Sequence, residues 1–165
     1  MNYKLFTNIK VIQAILFLFI PLVLWVSNGS LLDSVTDYSY KVPFLFAFVL
    51  TLAGSVFFYD GFVSPRRWYN LISGISLFAV VLFPHFNYPT FHYMSAAIFF
   101  LWSSFSMVYF SGKRQRVYKV ASVAVIIMGI AIHYAFGWYS LFFAEWIGML
   151  PITVHYILEA LDLID

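Results

Sequence analysis

The run Val11-Ile-Gln-Ala-Ile-Leu-Phe-Leu-Phe-Ile-Pro21-Leu-Val-Leu-Trp-Val26 decides the fold class. It is almost wholly apolar, begins directly after Lys10 and ends at the polar Ser27-Asn28-Gly29, which reads as a helix crossing a bilayer. A secretory signal would offer a shorter apolar region, ~7 to 15 residues. The later runs also need a chain already integrated in the membrane, so the expectation is an uncleaved anchor. Pro21 removes one backbone donor inside this span and is expected to kink or pack it.

Five further runs of the same kind follow, at residues 43–59, 68–83, 92–110, 117–136 and 141–158, and Pro43 is well placed as a first helical residue. Composition agrees, since the 165 residues are 63% hydrophobic and only 10% charged. The mean hydropathy is +0.89. The expected fold is all-α, a polytopic integral membrane protein whose single domain is a bundle of six transmembrane helices. No internal repeat, low-complexity tract or soluble domain interrupts it.

Orientation follows from the basic residues. Lys4, Lys10, Arg66, Arg67, Lys113, Arg114, Arg116 and Lys119 fall on one side of the six spans, and Lys41 alone on the other. The positive-inside rule places both termini in the cytoplasm, with a bacterial-type inner membrane as the location. The outer face then carries the segment Ser34-Val-Thr-Asp37-Tyr38-Ser-Tyr40, the loop from His85 to Phe91 and the turn from Gly137 to Ser140.

Several chemistries are excluded. There are no cysteines, so disulfides, thiolate metal sites, iron-sulfur clusters and cysteine nucleophiles are absent. The basic residues occupy short loops instead of a stripe, which argues against nucleic acid as a partner. Neither a phosphate-cradling glycine loop nor a Gly-x-Ser-x-Gly elbow occurs. No lysine lies well inside an expected span to form a retinal Schiff base, and haem is disfavoured because His85 lies in a loop and His155 has no mate at its depth.

Ionisable groups inside a membrane cost ~2.5 to 3.5 kcal/mol each at its centre, so they should face the bundle interior. In the last span Glu145, Gly148, Ile152, His155, Glu159 and Asp162 share one helical face, which is expected to meet protein. Ser95, Phe99, Ser103 and Ser106 in the fourth span, and Ser122, Gly129 and His133 in the fifth, form small polar faces suited to close packing.

Depth sorts these groups, because a helix rises ~1.5 Å per residue. His85, His92, His133 and Glu145 sit at the level of Asp37, while His155 lies deeper and Asp60 falls on the inner face. The outer cluster of Ser34, Asp37, Tyr40, His85, His92, His133 and Glu145 has three physical readings. In the first it is a hydrogen-bonded plug that ties the first loop to the last three spans, with no cofactor. In the second it is an acid-base pocket open to the outer leaflet, with Ser34, Asp37, His92 and Glu145 catalytic and Tyr40, His85 and His133 holding ligand. In the third His85, His92 and His133 hold a divalent metal such as zinc, which activates water against a lipid ester or amide. A zinc hydrolase of the alkaline ceramidase kind would bring two histidines on one turn of a late span, and here no two are four apart. An enzyme needs an open cavity reaching His92, Asp37 and Glu145; a plug buries them in mutual hydrogen bonds.

The segment Ser34 to Tyr40, then Tyr59-Asp60-Gly61, Asn70 with Gly74, Leu82-Phe83-Pro84, His92 with Ser95-Ala-Ala-Ile-Phe-Phe100, and Glu145 with Gly148 resemble the signature order of small six-span bacterial membrane proteins of unknown function. These are similar in layout to the DRAM-like and Frag-like membrane proteins. The resemblance covers nearly the whole chain from about residue 30 and implies a six-helix bundle with both termini inside. Some eukaryotic relatives are linked to lipid remodelling or lipid-dependent trafficking, which implies lipid contact. The usual ending, a Trp followed by a basic or glycine tail, is replaced here by His155 and the acidic stretch Glu159 to Asp165.

The expected function is that of a lipid-associated or scaffolding membrane protein, with membrane lipids as partners. The alternatives are a lipid hydrolase or transferase at the outer leaflet, and an accessory subunit whose Phe-rich flank is covered by a membrane-protein partner.

Overall fold

The computed structural model describes residues 3–110 and 115–164, with side chains from Thr7 onward. Lys4, Lys113, Arg114 and Asp165 of the sequence reading lie outside the side chains described. Among the described residues there is no strand. The helices are α1 (Tyr3–Asn28), the short α2 (Tyr38–Lys41), α3 (Pro43–Val63), α4 (Asn70–Leu82), α5 (Pro89–Tyr109), α6 (Arg116–Phe136) and α7 (Leu141–Ala160). Five of them, α1, α3, α5, α6 and α7, are long and apolar enough to cross a membrane, and α4 is a shorter apolar helix.

Local chemistry sets the ends. Pro43 and Pro89 open α3 and α5 at positions where the missing N–H has no helical partner to lose. Gly137 closes α6 in the left-handed region, with φ 62°, and its N–H donates to the His133 carbonyl at 2.9 Å.

The main helices alternate in direction. At one pole Lys10 near the start of α1 reaches Asp60 near the end of α3, and Arg67 just before α4 reaches Glu159 at the end of α7. At the other pole His85 just after α4 lies 3.4 Å from Asp37 before α3, and Val35 bonds to Glu145 near the start of α7. Thus α4, at 13 residues only about 20 Å long, still runs from one pole to the other.

Between the poles the interior is apolar. Phe17, Phe57 and Phe99 meet edge to face, with ring centroids 5.9, 6.1 and 6.1 Å apart. Each is almost fully buried. The α3–α4 contact is closer still, because a Cβ added at Gly74 would stand 2.6 Å from the Phe58 nitrogen and 2.7 Å from the Gly54 carbonyl oxygen. Outward, Phe44, Phe62, Leu101 and Val117 are exposed, as on a surface that faces hydrocarbon.

Several boundaries differ from those expected. Helix α1 takes in Lys10, and α3 continues through Asp60 and Gly61, which the sequence reading puts in a turn. In both cases burial of the charged group in a partnered site lets the helix carry it. Lys119, assigned to the basic loop, is likewise buried within α6. Helix α4 is shorter than residues 68–83, because Trp68 and Tyr69 are held in a turn: the Tyr69 ring stacks on Phe110 at 4.6 Å and its carbonyl accepts from Trp102 Nε1 at 2.9 Å. The small polar faces prove to be packing surfaces. Ser95, Ser106 and Ser122 donate to carbonyls one turn back at 2.7, 3.0 and 3.0 Å, and Ser103 meets Ser73 at 3.2 Å.

Candidate functional site

The pole that the charge distribution assigns to the outer face, the outer pole, is built on Ser34. Its Oγ accepts from the Asp37 N–H at 3.2 Å while the Asp37 carboxylate accepts from the Ser34 N–H at 2.9 Å, a capping box that fixes the turn Val35–Asp37. That turn leaves the Val35 N–H pointing at α7, where Glu145 Oε2 accepts it at 2.7 Å. One turn earlier in α7, the Phe142 N–H donates to the Asp33 carbonyl at 2.7 Å. Loop and helix start therefore satisfy each other's orphan groups.

Tyr38 anchors the same loop from below. Fully buried against Phe142, it donates to the Ser30 carbonyl at 3.1 Å and accepts from the Leu32 N–H at 3.2 Å. Burial pushes its phenol above the ordinary value, the Leu32 amide works against that, and the nearby Asp37 adds to it.

Tyr40, His85 and His92 close the other side. The Tyr40 hydroxyl accepts from the Phe86 N–H at 2.8 Å, and its ring meets His85 edge on at 5.4 Å. His85 Nε2 lies 3.4 Å from Asp37 Oδ1, and its ring centroid is 5.6 Å from that of His92. Buried His92 places Nδ1 2.8 Å from the Phe83 carbonyl, so Nδ1 carries the proton that it donates. This bond folds the chain back at the Leu82-Phe83-Pro84 corner.

His133 does not join them. Its Nδ1 donates to the Tyr139 carbonyl at 2.7 Å, which ties it to the turn between α6 and α7. The trio His85, His92 and His133 therefore does not assemble, and no group of three His, Asp or Glu able to hold a metal ion occurs among the described residues. Beneath the loop lies a cavity of about 50 Å³, lined by Val35, Thr36, Glu145 and apolar side chains such as Leu77 and Phe99. Asp37, His85 and His92 do not line it.

The opposite pole holds a second polar network that the sequence reading did not assemble. Asp60, fully buried, pairs with the ammonium of Lys10, accepts from Asn70 Nδ2 at 2.8 Å, and lies 3.7 Å from the Arg67 guanidinium. Arg67 also reaches the Glu159 carboxylate at 3.5 Å, its carbonyl at 2.9 Å and Asp162 at 3.4 Å. The Tyr69 hydroxyl donates to the Glu159 carboxylate. Burial works against the Arg67 charge, but Glu159, Asp60, Tyr69 and Asp162 outweigh it and hold its pKa above the ordinary value. Nearby, His155 Nδ1 and the Tyr156 hydroxyl are buried without a hydrogen-bond partner among the described residues, beside a small void. The available signal was the stripe on α7, which carries both His155 and Glu159 on its protein-facing side.

A family model matches residues 19–160. The chain belongs to DUF7103, a family of unknown function. The matched region of this DUF7103 member includes every group of the outer pole and, at the opposite pole, Asp60, Arg67, Tyr69, Asn70 and Glu159, while Lys10 and Asp162 lie beyond it. No curated protein matches the chain, and no solved structure does.

Proposed function

We propose that this DUF7103 chain is a lipid-associated, scaffolding membrane protein in which all six main helices cross the bilayer, both termini lie in the cytoplasm, and the outer polar cluster is a latch without catalytic work. The observation that carries the latch is the pair of bonds from Val35 N–H to Glu145 and from Phe142 N–H to the Asp33 carbonyl, both 2.7 Å, which bind the first loop to α7. Ser34, Asp37, Tyr40 and His92 are each engaged in a hydrogen bond with the chain itself. The space beneath them, about 50 Å³, is far below the ~300 to 1,000 Å³ of pockets that enclose a ligand. Within it a lipid ester has no room to reach the Glu145 carboxylate. The resemblance in sequence layout to DRAM-like and Frag-like proteins is in keeping with lipid contact, and a bacterial-type inner membrane is the location that this charge distribution fits best.

The chain has no cysteine, so single introduced cysteines report sidedness cleanly. Cysteines at Lys41 and Asn87, both exposed, should react with an impermeant thiol reagent from one side of the membrane, and those at Arg66 and Gln115 from the other. Labelling of Arg66→Cys and Asn87→Cys from the same side would remove α4 as a span. Hydrogen exchange tests the latch: the Val35 amide should exchange as slowly as core helix amides. Fast exchange there, or release of a lipid product that depends on His92 while the protein still accumulates, would favour an enzyme.

A further inference from the structure

Between the start of α1, the end of α3 and the end of α7 a groove of about 470 Å³ opens at the basic pole. Its walls are Thr7, Lys10, Val63, the turn Ser64-Pro65-Arg66-Arg67, and Ala160. We infer that this groove binds the phosphate of an anionic glycerophospholipid. The inference rests on the lipid-embedded reading above and adds the ligand class and the place.

Charge supports it. Three cationic side chains, Lys10, Arg66 and Arg67, line the groove, and among the described residues no carboxylate does. Asp60 and Glu159, almost fully buried, stand behind the cations and orient Lys10 and Arg67 without forming the groove wall, while exposed Asp162 lies 3.4 Å from Arg67. That backing keeps the set near electrical balance, so the expected affinity is moderate and depends on the forward-facing guanidinium of Arg66, which is exposed. A planar fork of donors suits phosphate oxygens, and the hydroxyls of Thr7 and Ser64 can add to it.

Size and depth agree. The volume falls within the range of ligand pockets, ~300 to 1,000 Å³. The groove opens where three helix ends meet, the level of lipid headgroups, and its apolar members Val63, Pro65 and Ala160 lead toward the hydrocarbon-facing surface on which Phe62 is exposed. Basic pockets between helices on the cytoplasmic side take anionic headgroups by this logic.

The test is native mass spectrometry of the intact protein in detergent, with palmitoyl-oleoyl phosphatidylglycerol or phosphatidylcholine added. Retained phosphatidylglycerol should exceed phosphatidylcholine, and Arg66→Gln should lower its apparent affinity about five-fold while leaving phosphatidylcholine unchanged. Arg66 makes none of the ion pairs that join the helices, so circular dichroism and thermal unfolding should match the parent. Equal retention of the two lipids, or an unchanged affinity in Arg66→Gln, overturns the site. Inorganic phosphate added in excess separates the sources: if it strips phosphatidylglycerol in an Arg66-dependent way, the ligand is free phosphate and the lipid assignment falls. Cysteine labelling of α4 is independent of all these outcomes, so the groove and the six-span reading can fail separately.

Discussion

The two poles of the bundle solve the burial of polar groups in opposite ways. At the outer pole most partners are close in sequence or are backbone: Ser34 with Asp37, His92 with the Phe83 carbonyl, Tyr38 with Ser30 and Leu32. At the basic pole the partners are full charges from four separate segments, with Lys10, Asp60, Arg67 and Glu159 meeting only in the folded state. The Phe17, Phe57 and Phe99 triad lies between them. Bonds to loop backbone make a removable latch. Charges whose neutralisation depends on one another make a clamp, and a clamp that loses one member is left with a buried unpaired ion.

That difference sets the largest expected effect. Asp60→Ala takes a carboxylate from Lys10 and Asn70 and removes one counter-charge of Arg67, so it should lower the unfolding free energy by about 3 to 5 kcal/mol, read by denaturant unfolding in micelles. Lys10→Met together with Asp60→Ala should recover part of the loss, because the buried ammonium that had paired with Asp60 is gone. A double variant as unstable as Asp60→Ala alone would break the clamp description.

The same contrast explains what the sequence made legible. Apolar runs, Pro43 as a helix start and Gly137 as a turn are local signals, and the structure keeps them within a few residues except that α1 begins at Tyr3, while α5 begins at Pro89, which the sequence reading leaves in a loop. The outer cluster was also within reach, because helix depth places Asp37, His85, His92 and Glu145 at one level and the Ser34 to Asp37 spacing is that of a capping box. His133 shares that level but faces the Tyr139 turn, a rotation about the helix axis that depth does not report. The clamp was out of reach for another reason. Lys10 and Asp60 are 50 positions apart, and both read as loop residues when charge is taken as a sign of exposure.

The latch should respond less. Glu145→Ala strands the buried Val35 N–H and should cost about 1 to 3 kcal/mol, whereas Glu145→Gln keeps a carbonyl acceptor and should cost well under half of that. Equal losses in the two variants would mean that the charge of Glu145, not its acceptor oxygen, holds the loop, and the outer pole would then behave as the inner one does. Tyr38→Phe removes a donor to Ser30 and an acceptor from Leu32 and should cost about 0.5 to 1.5 kcal/mol, by the same unfolding measurement.

Alkaline pH isolates the smallest effect. The Tyr38 phenol is held above its ordinary value of 10 by burial first, with the Leu32 amide opposing and Asp37 reinforcing. Below pH 10 the phenol is protonated in folded and unfolded chains alike, so its contribution is fully present. As pH rises past 10 the unfolded chain releases this proton and the folded chain keeps it, so stability falls with pH. The loss through Tyr38 alone is at most about 0.8 kcal/mol at pH 10.5, and less where solvent reaches the ring. Other tyrosines titrate in the same window, so the informative quantity is the difference between parent and Tyr38→Phe, whose stability should decline less steeply between pH 9 and pH 11. Parallel decline in the two proteins would show that the Tyr38 hydroxyl already meets water. The first loop would then be an opening in the bundle's mouth instead of its latch.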